Sequence, residues 1–480
     1  MSARRATLLC TLVLAGCATN PQRTPQTAQC RDYFDALDAR AAHAGVRDAG
    51  ADRIDGFPYL RVDRFTGALR DQLSDEPRQQ LWFELLRQRD EDARRVELTN
   101  LGAADVDREM QRVTSCGHAL VQFELASPQA RAKLIKQANV SDDYDLPARI
   151  FGLYPLAVPM LNLGIRKYHR ETERDFATPI DKLDHPGSLV RWEPAEEAPS
   201  PKEVRAWLAK VDALGIPTLD AAQWRRLARA HAPTWWIEEA GAFDRPGAPA
   251  LRDRPTADWS QPVVYFQAAY TRFAGKVLPQ LVYTIWFSQR PKQKFLDGYA
   301  GALDGVVWRV TLDAEGSPLL YDTIHPCGCY RMDFPVWPAA RKPQGGWFEE
   351  RALFPQAEVP KSEPIAIRVQ SATHFVRRVL PAAEARTDQV RQYELRPYAE
   401  LLSVDVGNGK RRSLFGEDGI VAGTQRSERW WLWMTGVDEP GAMREWGRHA
   451  TSFVGHGHFD DPNFLEQLFA LPMTGPAALQ

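Results

Sequence analysis

Apolar residues recur at helical spacing through the first third of the chain and at strand spacing further on. Asp32 to Ala44 carries one helical stripe. Ser74-Asp75-Glu76-Pro77 has the acids and first-turn proline of a helix start. It opens a charged helix whose stripe runs through Leu81, Phe83 (or Trp82), Leu85, Leu86 and Val96. Another helix is expected from Cys116 through Lys136, broken at Ser127-Pro128. Residues 193–202 are rich in Pro, Glu and Ala and read as a linker. Ser200-Pro201-Lys202-Glu203 is then a capping box opening a helix to about Leu214, and 218–231 continue helically.

The period then changes. Val263 to Phe266, Gln280 to Phe287, Gly305 to Leu312, Pro318 to Ile324, Ile365 to Val369 and Arg429 to Met434 have strand composition. Asp313-Ala314-Glu315-Gly316 and Gly407-Asn408-Gly409 are hairpin-type turns. Residues 440–470 return to helix. The expected class is α+β: an N-terminal helical region, then a mainly antiparallel β domain with C-terminal helices. The expected divisions are 30–192 for the helical domain, 193–202 for the linker and 203–480 for the α+β domain.

Ile150 to Ile165 (IFGLYPLAVPMLNLGI) is the most apolar internal stretch. Two prolines and sixteen residues argue against a membrane span. It reads as a segment buried at an interdomain face, or, more sharply, as one lying in a lipid interface.

The first residues carry a different signal. Arg4 and Arg5 precede a short apolar core, Ala6 to Val13, and then Leu14-Ala15-Gly16-Cys17. A positive start, a short apolar run and small residues before the cut make a secretory signal peptide, residues 1–16. The last four residues resemble the lipobox of bacterial lipoproteins. That resemblance implies cleavage before Cys17, acylation of Cys17, and, with alanine at 18, an outer-membrane address facing the periplasm. Residues 17–29 are then the lipidated cysteine and a Thr/Gln/Pro-rich tether. The expected partner on this side is the membrane itself, through the lipid anchor.

Loss of Arg4 and Arg5 with the signal takes the net charge from −2 to −4. This is no footprint for nucleic acid, which requires a clustered basic surface. Four cysteines remain beyond Cys17. An even set in an oxidising compartment points to disulfides, and Cys30–Cys116 is the expected pair, tying the first helix to the end of the N-terminal bundle.

The familiar catalytic signatures G-x-S-x-G, H-E-x-x-H, G-x-x-x-x-G-K-[ST] and C-x-x-C are absent. The best local constellation is His325-Pro326-Cys327-Gly328-Cys329-Tyr330. In extended chain His325, Cys327 and Cys329 share one face, ~6.5–7 Å apart. An imidazole and two thiolates suit Zn²⁺ or Cu⁺. A turn at Gly328 would instead bring the two sulfurs together as a strained, reducible disulfide; buried free thiols are the third alternative. His456 and His458 in Gly455-His456-Gly457-His458 would complete a metal set if they met that strand, with Asp460 or Asp322 in support. Otherwise they are turn histidines. His169, His185, His231 and His374 carry no assigned role.

Fourteen of the fifteen tryptophans lie between Trp192 and Trp446, with Trp431 and Trp433 expected on one face of a strand. Such rings fill a sheet core or, exposed, stack on glycan. Two functions follow. The first is a binding or scaffold protein of the cell envelope, with glycan or an envelope protein as partner. The second is a metal-dependent envelope hydrolase using the His/Cys site.

Overall fold

The structure is a computed structural model that describes residues 24–195, 199–337, 340–344, 346–361 and 364–470. The signal peptide, the lipobox and Cys17 lie outside the described residues.

The helices expected in the N-terminal third form, though two begin before their expected starts, at Pro25 rather than Asp32 and at Val106 rather than Cys116. Helix α1 (Pro25–Ala44) is capped by Thr24, so the expected tether ends five residues early. Helix α2 (Glu76–Asn100) has Asp75 as its N-cap, and α3 spans Val106–Glu124. A separate helix, Pro128–Gln137, starts from Ser127, which confirms the break at Ser127-Pro128. These helices cover a hairpin, Asp52–Ile54 with Phe57–Val62, that the helical pattern did not announce. Phe34, Leu37, Leu60, Trp82, Phe83 and Leu120 pack between them.

A ten-stranded sheet forms the rest of the framework. Its strands are β1 (Ser188–Pro194), β2 (Thr234–Glu239), β3 (Val263–Phe273), β4 (Lys276–Arg290) and β5 (Gly301–Leu312). Then follow β6 (Pro318–Ile324), β7 (Met332–Pro335), β8 (Ile365–Val369), β9 (Val376–Pro381) and β10 (Val390–Pro397). The order across the sheet is β7-β6-β5-β4-β3-β10-β1-β2-β8-β9. Strands β3 to β7 are an antiparallel meander. The Asp313 carboxylate closes one of its turns by accepting the backbone N–H of Glu315 and Ser317. Elsewhere the sheet is mixed: β10 runs parallel to both β1 and β3, and β8 parallel to β2. The chain is α+β with a large, mostly antiparallel sheet.

Three expectations need correction. Strand β1 sits inside the large sheet, so the boundary expected at 192–193 cuts a strand. Arg429 to Met434 is not a strand: Arg429–Leu432 is one turn of α-helix followed by a 3₁₀ turn, Trp433–Thr435. Alternation of large rings suggested β-structure there, but the segment pairs with no sheet edge and caps a pocket mouth instead. Residues 440–463 are loop, and Phe464–Leu468 is the one helix after Leu432 among the described residues.

Strand β4 is buried almost continuously because both faces of the sheet are covered. Leu281, Tyr283, Ile285 and Phe287 face the main core with Trp235, Trp308 and Leu395, while Trp286 packs into a second cluster with Tyr265 and Phe415.

Helix α4 (Tyr154–Ala177) carries the apolar stretch from Tyr154 onward, Ile150 and Phe151 ending a short helix before it, and only part of the stretch is buried. Tyr154, Val158 and Leu161 pack on Val454. Leu153, Leu156, Met160 and Leu163 are 59–76% exposed, as are Leu146 and Ile150 nearby at 64% and 62%. The expected interdomain burial therefore fails along this face. Among the described residues no helix is long and apolar enough to cross a membrane.

Candidate functional site

Three strand ends meet at one carboxylate. Asp304 lies on β5, His325 follows β6, and His374 lies in the connection from β8 to β9. His325 donates from Nδ1 to Asp304 Oδ1 at 3.2 Å, and His374 from Nδ1 to Asp304 Oδ2 at 2.8 Å. On its far side His374 Nε2 is 3.5 Å from Asp244 Oδ1. Asp244 also accepts from the Ser371 hydroxyl and the Ala372 backbone N–H, at 2.8 and 2.7 Å. All four charged or ionisable groups are buried, so their charges must balance internally.

They do so unequally. Burial by itself would raise the Asp304 carboxyl, but the two imidazoles hold it well below the ordinary carboxylate range. Burial lowers His374, yet Asp244 and Asp304 outweigh it and raise the imidazole. His325 has one carboxylate and stays lowered by burial. His374 is thus the more basic imidazole of the two. Nε2 of each ring is buried with no hydrogen-bond partner. Leu303, Tyr330, Ala372 and His374 around this cluster all have positive φ, 48° to 65°. Non-glycine residues take that conformation at a cost of ~1–3 kcal/mol each, and such strain gathers at functional sites.

The cluster stands behind a cavity of about 700 Å³. Cys329 and Tyr330, from the turn after His325, form its floor together with Glu428 and Glu350. Tyr330 packs edge-on against His325, centroids 5.0 Å apart, and so separates the buried pair from the opening. Burial pushes the Glu428 and Glu350 carboxyls up to about 7. Met160, Leu161 and Ile165 of α4, with Trp431 and Leu432, form the apolar wall. A Cβ built at Gly164, which lines the same wall, meets nothing within 4 Å.

The mouth is apolar as well. Met160 belongs both to the wall and to the exposed stripe of α4, and Trp431 is 44% exposed. The loop bearing exposed Phe295 and Leu296 reaches Trp431 through Gly298, whose backbone carbonyl accepts from Glu428 N. Exposed Trp347 is held to α4 by the Asn162 amide donating to its carbonyl.

The residues singled out from sequence divide cleanly. Cys30 and Cys116 are disulfide-bonded. Cys327 and Cys329 are free thiols on one tight turn. His456 and His458 belong to another loop: Arg149 donates to His456 Nε2 at 2.6 Å, and His458 Nε2 lies 3.3 Å from Asp143. His456 reaches the cavity wall, but the imidazoles that pair with Asp304 come from His325 and His374. Among the described residues no three His, Cys, Asp or Glu side chains are placed to hold a metal ion. The five-ligand Zn²⁺ or Cu⁺ set therefore has no geometric support. Asp322 and Asp460 are taken by Arg309 and Arg64. Asp304, Asp244, His374, Glu350 and Glu428 were not legible as a site, since they come from segments far apart in the chain. Only the clustering of His325 with its cysteines pointed here. The chain matches no family model, no curated protein and no solved structure.

Proposed function

We infer that this is an outer-membrane lipoprotein facing the periplasm, held by lipid on Cys17, which binds an acyl-chain amphiphile in the pocket beside α4. One observation carries the reading: a cavity of about 700 Å³ whose apolar wall continues outward into an exposed apolar rim. Monomeric proteins rarely expose contiguous apolar surface without a partner for it. The pocket is of ligand size, with a few polar groups at its floor.

Glycan is the less suitable ligand. Trp430, Trp431 and Trp433 offer exposed rings to a sugar, but Met160 at the cavity wall and the exposed Leu156 and Leu163 on the same helix offer only aliphatic surface. Aliphatic side chains favour hydrocarbon. Six residues separate Cys17 from Thr24, a reach of at most about 25 Å over seven steps, so an anchored chain keeps its folded part close to the bilayer. The exposed stripe of α4 is the apolar surface suited to meet that bilayer, in the manner of an interfacial helix.

A fluorescent polyene fatty acid tests this through energy transfer from Trp431 and its neighbours in de-acylated protein. Saturable binding at one site is expected, lost in Gly164→Phe, whose ring would occupy the open wall. Equal binding by the wild type and Gly164→Phe would refute the pocket as the site.

A further inference from the structure

The Cys327-Gly328-Cys329 turn is explained by neither the buried His–Asp cluster nor the apolar wall. Its backbone is closely held. His325 N–H donates to the Cys329 carbonyl at 2.9 Å, and Gly328 N–H to the His325 carbonyl at 2.8 Å. From the facing loop, Arg444 N–H donates to the Pro326 carbonyl at 2.8 Å. Gly328 has φ +90°, and a Cβ there would lie 2.2 Å from the Ala450 carbonyl oxygen. The turn thus requires glycine, and it cancels the separation of sulfurs that an extended chain would impose. The two free thiols flank Gly328 on this turn, and the Cys327 thiol together with burial holds the Cys329 thiol well above the ordinary thiol range. Their environments differ: Cys327 is 6% exposed, whereas Cys329 is half-buried and lines the cavity.

We propose that Cys327 and Cys329 are a dithiol–disulfide exchange site, with Cys329 the sulfur that meets a low-molecular-weight disulfide entering the cavity and Cys327 the resolving sulfur. Cys329, the sulfur that reaches the cavity, loses its proton to solvent and attacks one sulfur of the incoming disulfide. The neighbouring thiol and burial hold that proton, so the step is slow at neutral pH and quickens as pH rises. The other sulfur leaves as a thiolate and is protonated. Cys327 then gives up its proton and attacks Cys329 Sγ. A Cys327–Cys329 bond forms, and the first sulfur departs as the second product thiol. Two electrons and two protons pass from the pair to the substrate, and no further oxidant is needed. In the reverse direction a thiolate attacks Cys329. Cys327 is then the leaving sulfur. The small ring makes the oxidised form readily reducible, which suits exchange rather than a structural crosslink.

The proposal is independent of the acyl ligand. Its test is a titration of the mature chain in glutathione redox buffers containing chelator, quenched in acid, alkylated under denaturing conditions and weighed by mass spectrometry. The expected result is concerted loss of both alkylatable thiols, with Cys30–Cys116 intact. Cys327→Ser should stop at a stable glutathione adduct on Cys329, and Cys329→Ser should leave Cys327 unmodified on the same timescale. A wild-type chain that keeps both thiols in excess oxidised glutathione, or that halts at the mixed disulfide, overturns the proposal without need of either variant.

Discussion

Nδ1 of His374 donates to Oδ2 of Asp304 across 2.8 Å, inside a core where neither group meets water. Removing one partner of such a pair leaves the other charged and buried, at a cost of roughly 3–5 kcal/mol. Asp304→Asn should lose about 3 kcal/mol of unfolding free energy at pH 7 in urea, since Asp244 still serves His374. The deficit should vary with pH. Asp304 has a depressed pKa in the fold, so its contribution is present above 3.8 and lost as pH falls below that value. His374 has a raised one, so its contribution is full below 6.5 and lost as pH climbs through the higher folded value. A pH-independent deficit would show that the pair is not ionic.

Glu428 works in the opposite sense. Its carboxyl, pushed up to about 7 by burial, deprotonates at about 4.5 in the unfolded chain. Between those values the unfolded state has released a proton that the fold retains, so stability declines as pH rises from 4.5 to 7. Glu428→Gln should flatten that slope. The same ionisation puts charge on the floor of an apolar pocket. Affinity for a fatty-acid probe should therefore fall several-fold from pH 6 to 8.5 in the wild type, and less in Glu428→Gln, by fluorescence titration.

The exposed stripe of α4 has no structural task inside the fold. Replacing Leu156, Met160 and Leu163, 76%, 59% and 68% exposed, with glutamine should leave the melting temperature within about 2 °C of wild type. Flotation of the de-acylated chain with anionic phospholipid vesicles should nevertheless drop. Unchanged flotation would leave the stripe without a membrane role.

Cys30–Cys116 joins α1 to α3 across 86 residues of chain. Replacing both with serine should cost about 2–5 kcal/mol, through a denatured state freed of the crosslink. Chemical denaturation in non-reducing buffer measures it, and no loss would mean that packing of Phe34 and Leu120 alone holds the two helices.

Local rules made part of this fold legible. Caps at Asp75 and Ser200, the break at Ser127-Pro128 and the turn at Asp313 are decided by neighbours in sequence, and they sit where the pattern places them. Strands β3 to β6 stand on runs whose composition marked them, whereas β7, Met332–Pro335, was not marked. Strand β10 lies between β3 and β1 because of pairings across more than a hundred residues, and no local period announces that. Trp430, Trp431 and Trp433 misled because ring spacing alone cannot distinguish a strand from one exposed helical turn. At the site, His325 with its two cysteines was visible, whereas His374 looked unremarkable until folding set it between two aspartates.

The central claim is the acyl pocket, and photo-crosslinking reads it most directly. A diazirine-bearing fatty acid is irradiated with de-acylated protein, and the adducts are mapped by peptide mass spectrometry. Adducts should concentrate on residues 160–168 and 428–432, compete away with unlabelled fatty acid, and vanish in Gly164→Phe. Labelling scattered over the surface, or resistant to both competitor and Gly164→Phe, would contradict the account.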